Sequence, residues 1–247
     1  MKIAIISDIH GNMLALNEVL EDIKFEKCDK IFCLGDIAMA GAEPNEAINK
    51  IKELQSENFI VIQGNTDEMI ANFDKLPKVT FMDDSLPMMN ALKSDIELIS
   101  DENILFLKNL KKQKEIEIFG TKILLVHGSP RRNNEDISPN LTLEQVEEML
   151  KDTNANIIFC GHTHMPCGYQ TNTRQTVVNA GSVGRPLTQN PKSCYAILNL
   201  FEDGSFEVEH KFVSYDNQKA SEMLKSRGYK GAERIANLLI APTSRHG

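Results

Sequence analysis

Four of the six histidines in this chain, two aspartates and one asparagine fall in five short segments, each at the end of an apolar run: Asp8-Ile9-His10, Gly35-Asp36, Gly64-Asn65, His127-Gly128 and Gly161-His162-Thr163-His164. In extended backbone, side chains two residues apart point the same way. Asp8 with His10, and His162 with His164, can therefore each turn two ligands to one side. Together the segments offer two carboxylates, one amide oxygen and four imidazoles. One ion at ordinary coordination needs fewer donors, so the inventory points to two metal ions sharing Asp36 as a bridge. Each segment alone has an ordinary explanation: a capping Asp beside a surface His, a glycine turn, an Asx turn at Asn65, or a satisfied core histidine at 127. GHTH has fewer such explanations, and five segments in order at the ends of apolar runs outweigh them.

The elements that must position these residues read as alternating strands and helices. Residues 2–7 (KIAIIS), 30–34 (KIFCL) and 59–63 (FIVIQ) are buried-strand runs. Between them, Met13, Leu16, Leu20 and Ile23 recur at helical spacing, and a second helix opens at Pro44 and carries Ile48, Ile51 and Leu54. This is a βαβαβ unit with a parallel sheet, and the carboxyl ends of parallel strands line one crevice. Residues 68–114 read as a helical insertion packed over the sheet. Strands resume at 115–119 and 122–126 around a Gly120-Thr121 hairpin signal, followed by a helix at 143–151 and a strand at 156–160. Residues 175–178, 193–200 and 205–213 read as a second, more antiparallel set. Helices at 217–226 and 232–240 follow.

Length and composition bound the rest. A chain of 247 residues, 41% hydrophobic and without biased tracts, is expected to form one α/β domain over residues 1–247, with C-terminal helices at about 216–240. The net charge of −8 argues against duplex nucleic acid as a partner. No run approaches a membrane span and the opening MKIAIIS is too short for a signal peptide, so a cytoplasmic protein with no membrane partner is expected. Five cysteines without a CxxC pair read as buried reduced thiols. Asp83-Asp84, Glu144, Glu147, Glu148, His210 and His246 read as surface residues. There is no GxxxxGK[ST] phosphate loop, and no serine triad is suggested.

The series DIH, GD, GN, HG and GHTH resembles the signature of the calcineurin-like metallophosphoesterases. NAGSVG at 179–184, VSYD at 213–216 and the C-terminal helices are similar to a small prokaryotic branch of that superfamily. The resemblance implies a four-layer αββα sandwich that hydrolyses phosphate esters at a dinuclear metal site. It assigns Asp8, His10, Asp36 and His164 to one ion, and Asp36, Asn65, His127 and His162 to the other, with Asp36, Asn65 and His127 counted as catalytic. Such mixed ligation suits manganese, iron, zinc, nickel or cobalt. The implied reaction is direct attack of a metal-bridging hydroxide on phosphorus, without a covalent enzyme intermediate.

Many members of that superfamily read GNH where this chain reads Gly64-Asn65-Thr66, and their histidine acts near the leaving group as the general acid. Thr66 cannot protonate an alkoxide near neutral pH. The small prokaryotic branch commonly lacks the histidine too, so another acid, a water on the metal or a good leaving group is expected to take over. Arg131, Arg132 and Arg185 follow the HGSP and NAGSVG segments and are candidates for substrate phosphate, with solvated loop arginines the other reading. Asp67 reads as a helix cap. The expected activity is hydrolysis of a small phosphate ester, with broad phosphodiesterase and phosphomonoesterase action. The alternatives are a phosphomonoesterase of sugars, nucleotides or phosphoproteins, and a non-catalytic interaction scaffold, a use this fold also has in the retromer complex; here, however, all seven ligand positions are filled.

Overall fold

The computed structural model describes residues 1–75 and 86–243; Asp83, Asp84, His246 and residues 76–85 of the expected insertion lie outside them. The first apolar run forms β1 (Lys2–Ile6), buried from Ile3 onward because both faces are covered. Ile3 and Ile5 join Phe32, Leu34, Ile123 and Phe159 in one core. Ala4 and Ile6 join Leu16, Val19 and Ile48 in another, on the opposite face. α1 (Met13–Phe25) starts where the Asn12 side chain accepts from the Ala15 amide at 3.2 Å. β2 (Lys30–Cys33) pairs parallel to β1. α2 (Pro44–Leu54), with proline in its first turn, leads to β3 (Phe59–Val61), parallel to β2.

The chain then runs through α3 (Asn65–Ala71), α4 (Leu86–Leu98) and α5 (Asp101–Asn109). β4 (Gln113–Ile118) and β5 (Thr121–Val126) form the expected hairpin, and α6 (Leu143–Leu150) precedes β6 (Ile157–Cys160), β7 (Cys167–Gln170) and β8 (Thr176–Asn179). β9 (Ser193–Leu200), β10 (Phe206–Val213), α7 (Asn217–Ser226) and α8 (Ala232–Ile240) close the described chain.

Two five-stranded sheets result, in the orders β10-β9-β1-β2-β3 and β4-β5-β6-β8-β7. The core holding Ile3, Phe32, Ile123 and Phe159 lies between the sheets. A larger core joins the first sheet to helices including α1, α2, α7 and α8. A smaller one sets Val146 and Leu150 of α6 against Leu124, Ile158 and Val177 of the second sheet. The layers therefore run helix, sheet, sheet, helix. β1, β2 and β3 in one sheet and β5 and β6 in the other are the strands whose exits carry the candidate ligands.

The later strands are distributed differently from the sequence reading. β8 pairs parallel to β6 in the second sheet, whereas β9 lies antiparallel between β1 and β10 in the first. Apolar periodicity shows that a strand is buried on two faces, as β9 is, but it does not name the neighbour. β7, four residues that include Gly168, gave no apolar run to detect. No helix among the described residues is long and apolar enough to cross a membrane. The five cysteines are free thiols; Cys33, Cys160 and Cys194 are buried as expected, whereas Cys28 and Cys167, which lie outside the apolar runs, are only partly buried.

Candidate metal centre

Several ligand-bearing loops leave their strands through left-handed backbone steps. Asp8 (φ 57°), His10 (49°), Asp36 (53°), His162 (67°) and His164 (62°) all occupy a region that side chains other than glycine rarely adopt. Each such residue costs about 1 kcal/mol or more and persists only where its surroundings fix it. Here the loops bond one another. The Asp8 and His10 amides donate to the Gly35 and Asp36 carbonyls at 3.0 and 2.9 Å, and Gly184 N donates to Asp8 O at 2.9 Å. Close approach also demands glycine: a Cβ on Gly35 would stand 2.1 Å from Gly64 N, and one on Gly64 2.1 Å from Asp36 Oδ1.

Three imidazoles are aimed by the same device. His10 Nδ1 donates to Met39 O at 2.9 Å, His127 Nδ1 to Leu34 O at 2.8 Å and His164 Nδ1 to Arg185 O at 2.6 Å. A carbonyl only accepts, so the proton is on Nδ1 and each Nε2 is turned inward. His10 Nε2 lies 3.1 Å from His164 Nε2, and His164 Nε2 lies 3.1 Å from Asp8 Oδ1. On the other side, His127 Nε2 is 3.0 Å from Asn65 Oδ1 and 3.3 Å from Asp36 Oδ1. The His162 ring stands edge-on to that of His127, with centroids 5.4 Å apart.

Two groups of donors emerge, Asp8 with His10 and His164, and Asp36 with His127 and His162. Within each group the ligand atoms all lie within 4.8 Å of one another, and all six residues are buried. Asn65 Oδ1 adjoins the second group. Asp36 presents one oxygen to each side: Oδ2 is 3.7 Å from His10 Nε2, and Oδ1 is 3.3 Å from His127 Nε2. The seven residues expected from the sequence thus meet at one place.

The electrostatics fit cations. Burial alone would raise the Asp8 and Asp36 pKa values, but the neighbouring imidazoles outweigh it. Asp8 is held well below the usual carboxylate range by His164, and Asp36 at about 2 by His127. Burial opposes charge on His127, yet Asp36 and Asp8 lift its pKa to about 9, a measure of how strongly this packed pair of carboxylates favours positive charge. Burial, followed by the charges of Arg185 and His164, lowers His10 to about 3 and keeps it neutral, as a metal ligand must be. Asp8 Oδ1 is fully buried and accepts no hydrogen bond among the described residues. Inward-turned imidazole nitrogens, ionised carboxylates and an orphaned carboxylate oxygen form a donor set suited to divalent ions.

Residues not singled out as functional from sequence hold this set. Asp67 was expected to be a helix cap and does accept from Gly64 N at 2.9 Å, but its carboxylate also accepts from Asp36 N at 2.8 Å and Ile37 N at 3.0 Å. Burial and the Asp36 charge raise its pKa to about 7. Asn179 donates to Gly161 O at 2.7 Å and Thr163 Oγ1 at 2.9 Å, bracing the GHTH loop, and its own carbonyl meets His210 Nε2 at 2.7 Å. His210 is therefore a half-buried structural residue rather than a surface one. Ser182 Oγ donates to Asp8 O at 2.8 Å. Asp136 Oδ1 lies 3.2 Å from His162 Nε2. Only the NAGSVG segment gave a sequence signal for any of these; the other contacts cross between loops far apart in the chain.

Two cavities flank the centre. One of about 620 Å³ has His10, Asp36, Asn65, Thr66, His162 and His164 at its floor and includes Arg185. The other, of about 810 Å³, is lined by Lys75, Lys112, Arg131 and Arg132 and shares Asn65 and Met69 with the first. Arg131 and Arg132 are both committed to Glu135, through Oε1 at 2.7 and 2.8 Å. Thr66 is buried; its hydroxyl donates to Ala38 O at 3.0 Å and its amide to Asp36 Oδ1 at 2.9 Å.

Residues 1–203 match the model of the calcineurin-like phosphoesterase superfamily domain. The archaeal protein MJ0912 of Methanocaldococcus jannaschii, described as uncharacterized, is 33% identical over 242 residues, covering 90% of this chain and 91% of its own. A metallophosphoesterase from Sphaerobacter thermophilus superposes with a TM-score of 0.78 at 25% identity, over 98% of both chains. The hypothetical protein PH1004 of Pyrococcus horikoshii shares the fold with a TM-score of 0.85 at 24% identity, over 96% of this chain and 97% of its own.

Proposed function

This chain belongs to the calcineurin-like phosphoesterase superfamily, and from that premise we propose that it hydrolyses small phosphate esters at two divalent ions. Asp8, His10, Asp36 and His164 would hold one, and Asp36, Asn65, His127 and His162 the other. The observation that carries this reading is Asp36, which turns Oδ2 toward His10 and Oδ1 toward His127. When bound, such ions supply a water activated near neutral pH and positive charge to offset that developing on the phosphoryl oxygens.

The chain's own residues do the positioning. Carbonyl anchors on His10, His127 and His164 hold their rings before any ion arrives. Arg185 lines the cavity over this floor and brings a positive charge close to His10, which suits it to a phosphoryl oxygen. Thr66 commits its hydroxyl proton to Ala38 O, so it offers none to a departing oxygen.

A diester is favoured over a monoester by the two cavities that share Asn65 and Met69, which leave room for an organic arm on either side of the phosphate. A metal-by-substrate matrix with manganese, iron, zinc, nickel and cobalt, on p-nitrophenyl phosphate and its bis-ester, tests the reading. Asp36→Asn is expected to lose about a hundredfold or more of the activity. Intact activity in that variant would refute the two-ion centre, and a wild type that cleaves neither compound would favour the scaffold reading.

A further inference from the structure

Much of the wall above the metal centre is apolar, with Arg185 Nη1 donating to Met88 Sδ at 3.5 Å along it. In the cavity of about 620 Å³, Met69 of α3, Met88 of α4 and Ile235 and Leu238 of α8 surround the ligand floor, joined by Met39 and Leu187. Its volume is that of a small-molecule site. Beyond the candidate ligands and Thr66, whose hydroxyl is already used, the polar lining consists of Arg185, Arg234 and Thr243.

We propose that this wall receives an aromatic or otherwise apolar organic arm of the phosphate ester, while Arg185 and the metal floor take the phosphate. The inference deepens the phosphoesterase reading and rests on it. A sugar or glycerol arm laid against the methionines and the α8 aliphatics would set its hydroxyls on thioether and aliphatic carbon, with Arg234 and Thr243 the polar lining groups besides Arg185 and the floor. Methionines adapt to flat rings and make favourable sulfur contacts with them. The position of Thr66 argues the same way independently. With no acid offered there, an aryl oxide, which leaves without protonation, is better served than an alkoxide.

Non-hydrolysable phosphonates separate binding from chemistry. Calorimetric titration of the manganese-loaded protein with phenylphosphonate, methylphosphonate and 2-hydroxyethylphosphonate should give phenyl tightest, by about tenfold over methyl, with hydroxyethyl no tighter than methyl. Leu238→Ser on α8 and Met88→Ser on α4, each checked for native circular dichroism, should narrow the phenyl-to-methyl ratio. Equal affinities for phenyl and methyl, or a preference for hydroxyethyl, would overturn the proposal. Phenyl preference in a protein that cleaves no ester leaves the arm site standing and removes the hydrolase reading; cleavage of both nitrophenyl esters without phenyl preference does the reverse.

Discussion

His10 Nε2 and His164 Nε2 lie 3.1 Å apart, and each ring has its Nδ1 committed to a backbone carbonyl. Both Nε2 atoms therefore point into the same small space beside Asp8, where a cation can bond to both at once. Metal binding should therefore stabilise the fold. With manganese at about a hundred times its dissociation constant, the gain is about 2.7 kcal/mol, or roughly 5–10 °C in Tm for a chain of this size. Scanning calorimetry with manganese and then EDTA checks this. His164→Ala should lose part of the gain, and a wild-type Tm unmoved by every metal tried would remove the centre.

Asp67 accepts from three backbone amides, among them that of Asp36. Asp67→Ala leaves those buried donors unsatisfied and should destabilise the protein by about 2–4 kcal/mol. Because Asp36 then loses its anchor, metal affinity should also fall about tenfold. Urea denaturation and metal titration measure the two effects separately. A loss of stability with unchanged metal affinity would make Asp67 a brace of the fold alone.

Thr66 lines the cavity beside Asn65. Thr66→His should raise turnover on alkyl esters, whose leaving groups need a proton, by about tenfold or more relative to aryl esters. Thr66→Ala, which only breaks the bond to Ala38 O, should cost about 1 kcal/mol of stability and leave the alkyl-to-aryl ratio where it was. The ratio of kcat on the two ester classes decides; a fall in both with Thr66→His would count against the acid's absence as the limiting factor.

Glu135 supplies a pH signature away from the metal ligands. Its burial would raise the pKa, but hydrogen bonds from Arg131, Arg132 and Ser129 bring it from 4.5 to about 2, and its side chain is only 6% exposed. The folded pKa is the lower one, so this contribution is fully present above about 4.5 and fades as the pH falls toward 2. Stability measured from pH 5 down to pH 2 should decline more shallowly in Glu135→Gln than in wild type. Parallel curves would show that the network carries no linkage.

The ligand set was legible in the sequence because each member follows an apolar strand, and strand exits are marked by local signals: apolar runs ending at Gly35, Gly64 and Gly161. The parallel pairing of β1, β2 and β3 was legible for a related reason, since continuous apolar strands separated by helices leave few other arrangements. What holds the ligands was not. Asp67 looked like a cap because its bond to Gly64 is local, whereas its bonds to Asp36 and Ile37 span about thirty residues. His210 looked like a surface residue because β10 alternates, and only the carbonyl of Asn179, on the other sheet, shows otherwise.

The sequence by itself determined which atoms can coordinate and on which turns they are carried, because residue type and strand periodicity are local properties. Tertiary structure alone decided that Asp36 faces both donor groups, that Arg131 and Arg132 turn to Glu135 while Arg185 lines the cavity over the centre beside Met88, and that α4 and α8 bring apolar side chains to the same cavity. Those outcomes depend on which distant segments pack together. That is a matter of burial and partner satisfaction summed over the whole fold, and no short stretch of residues encodes it.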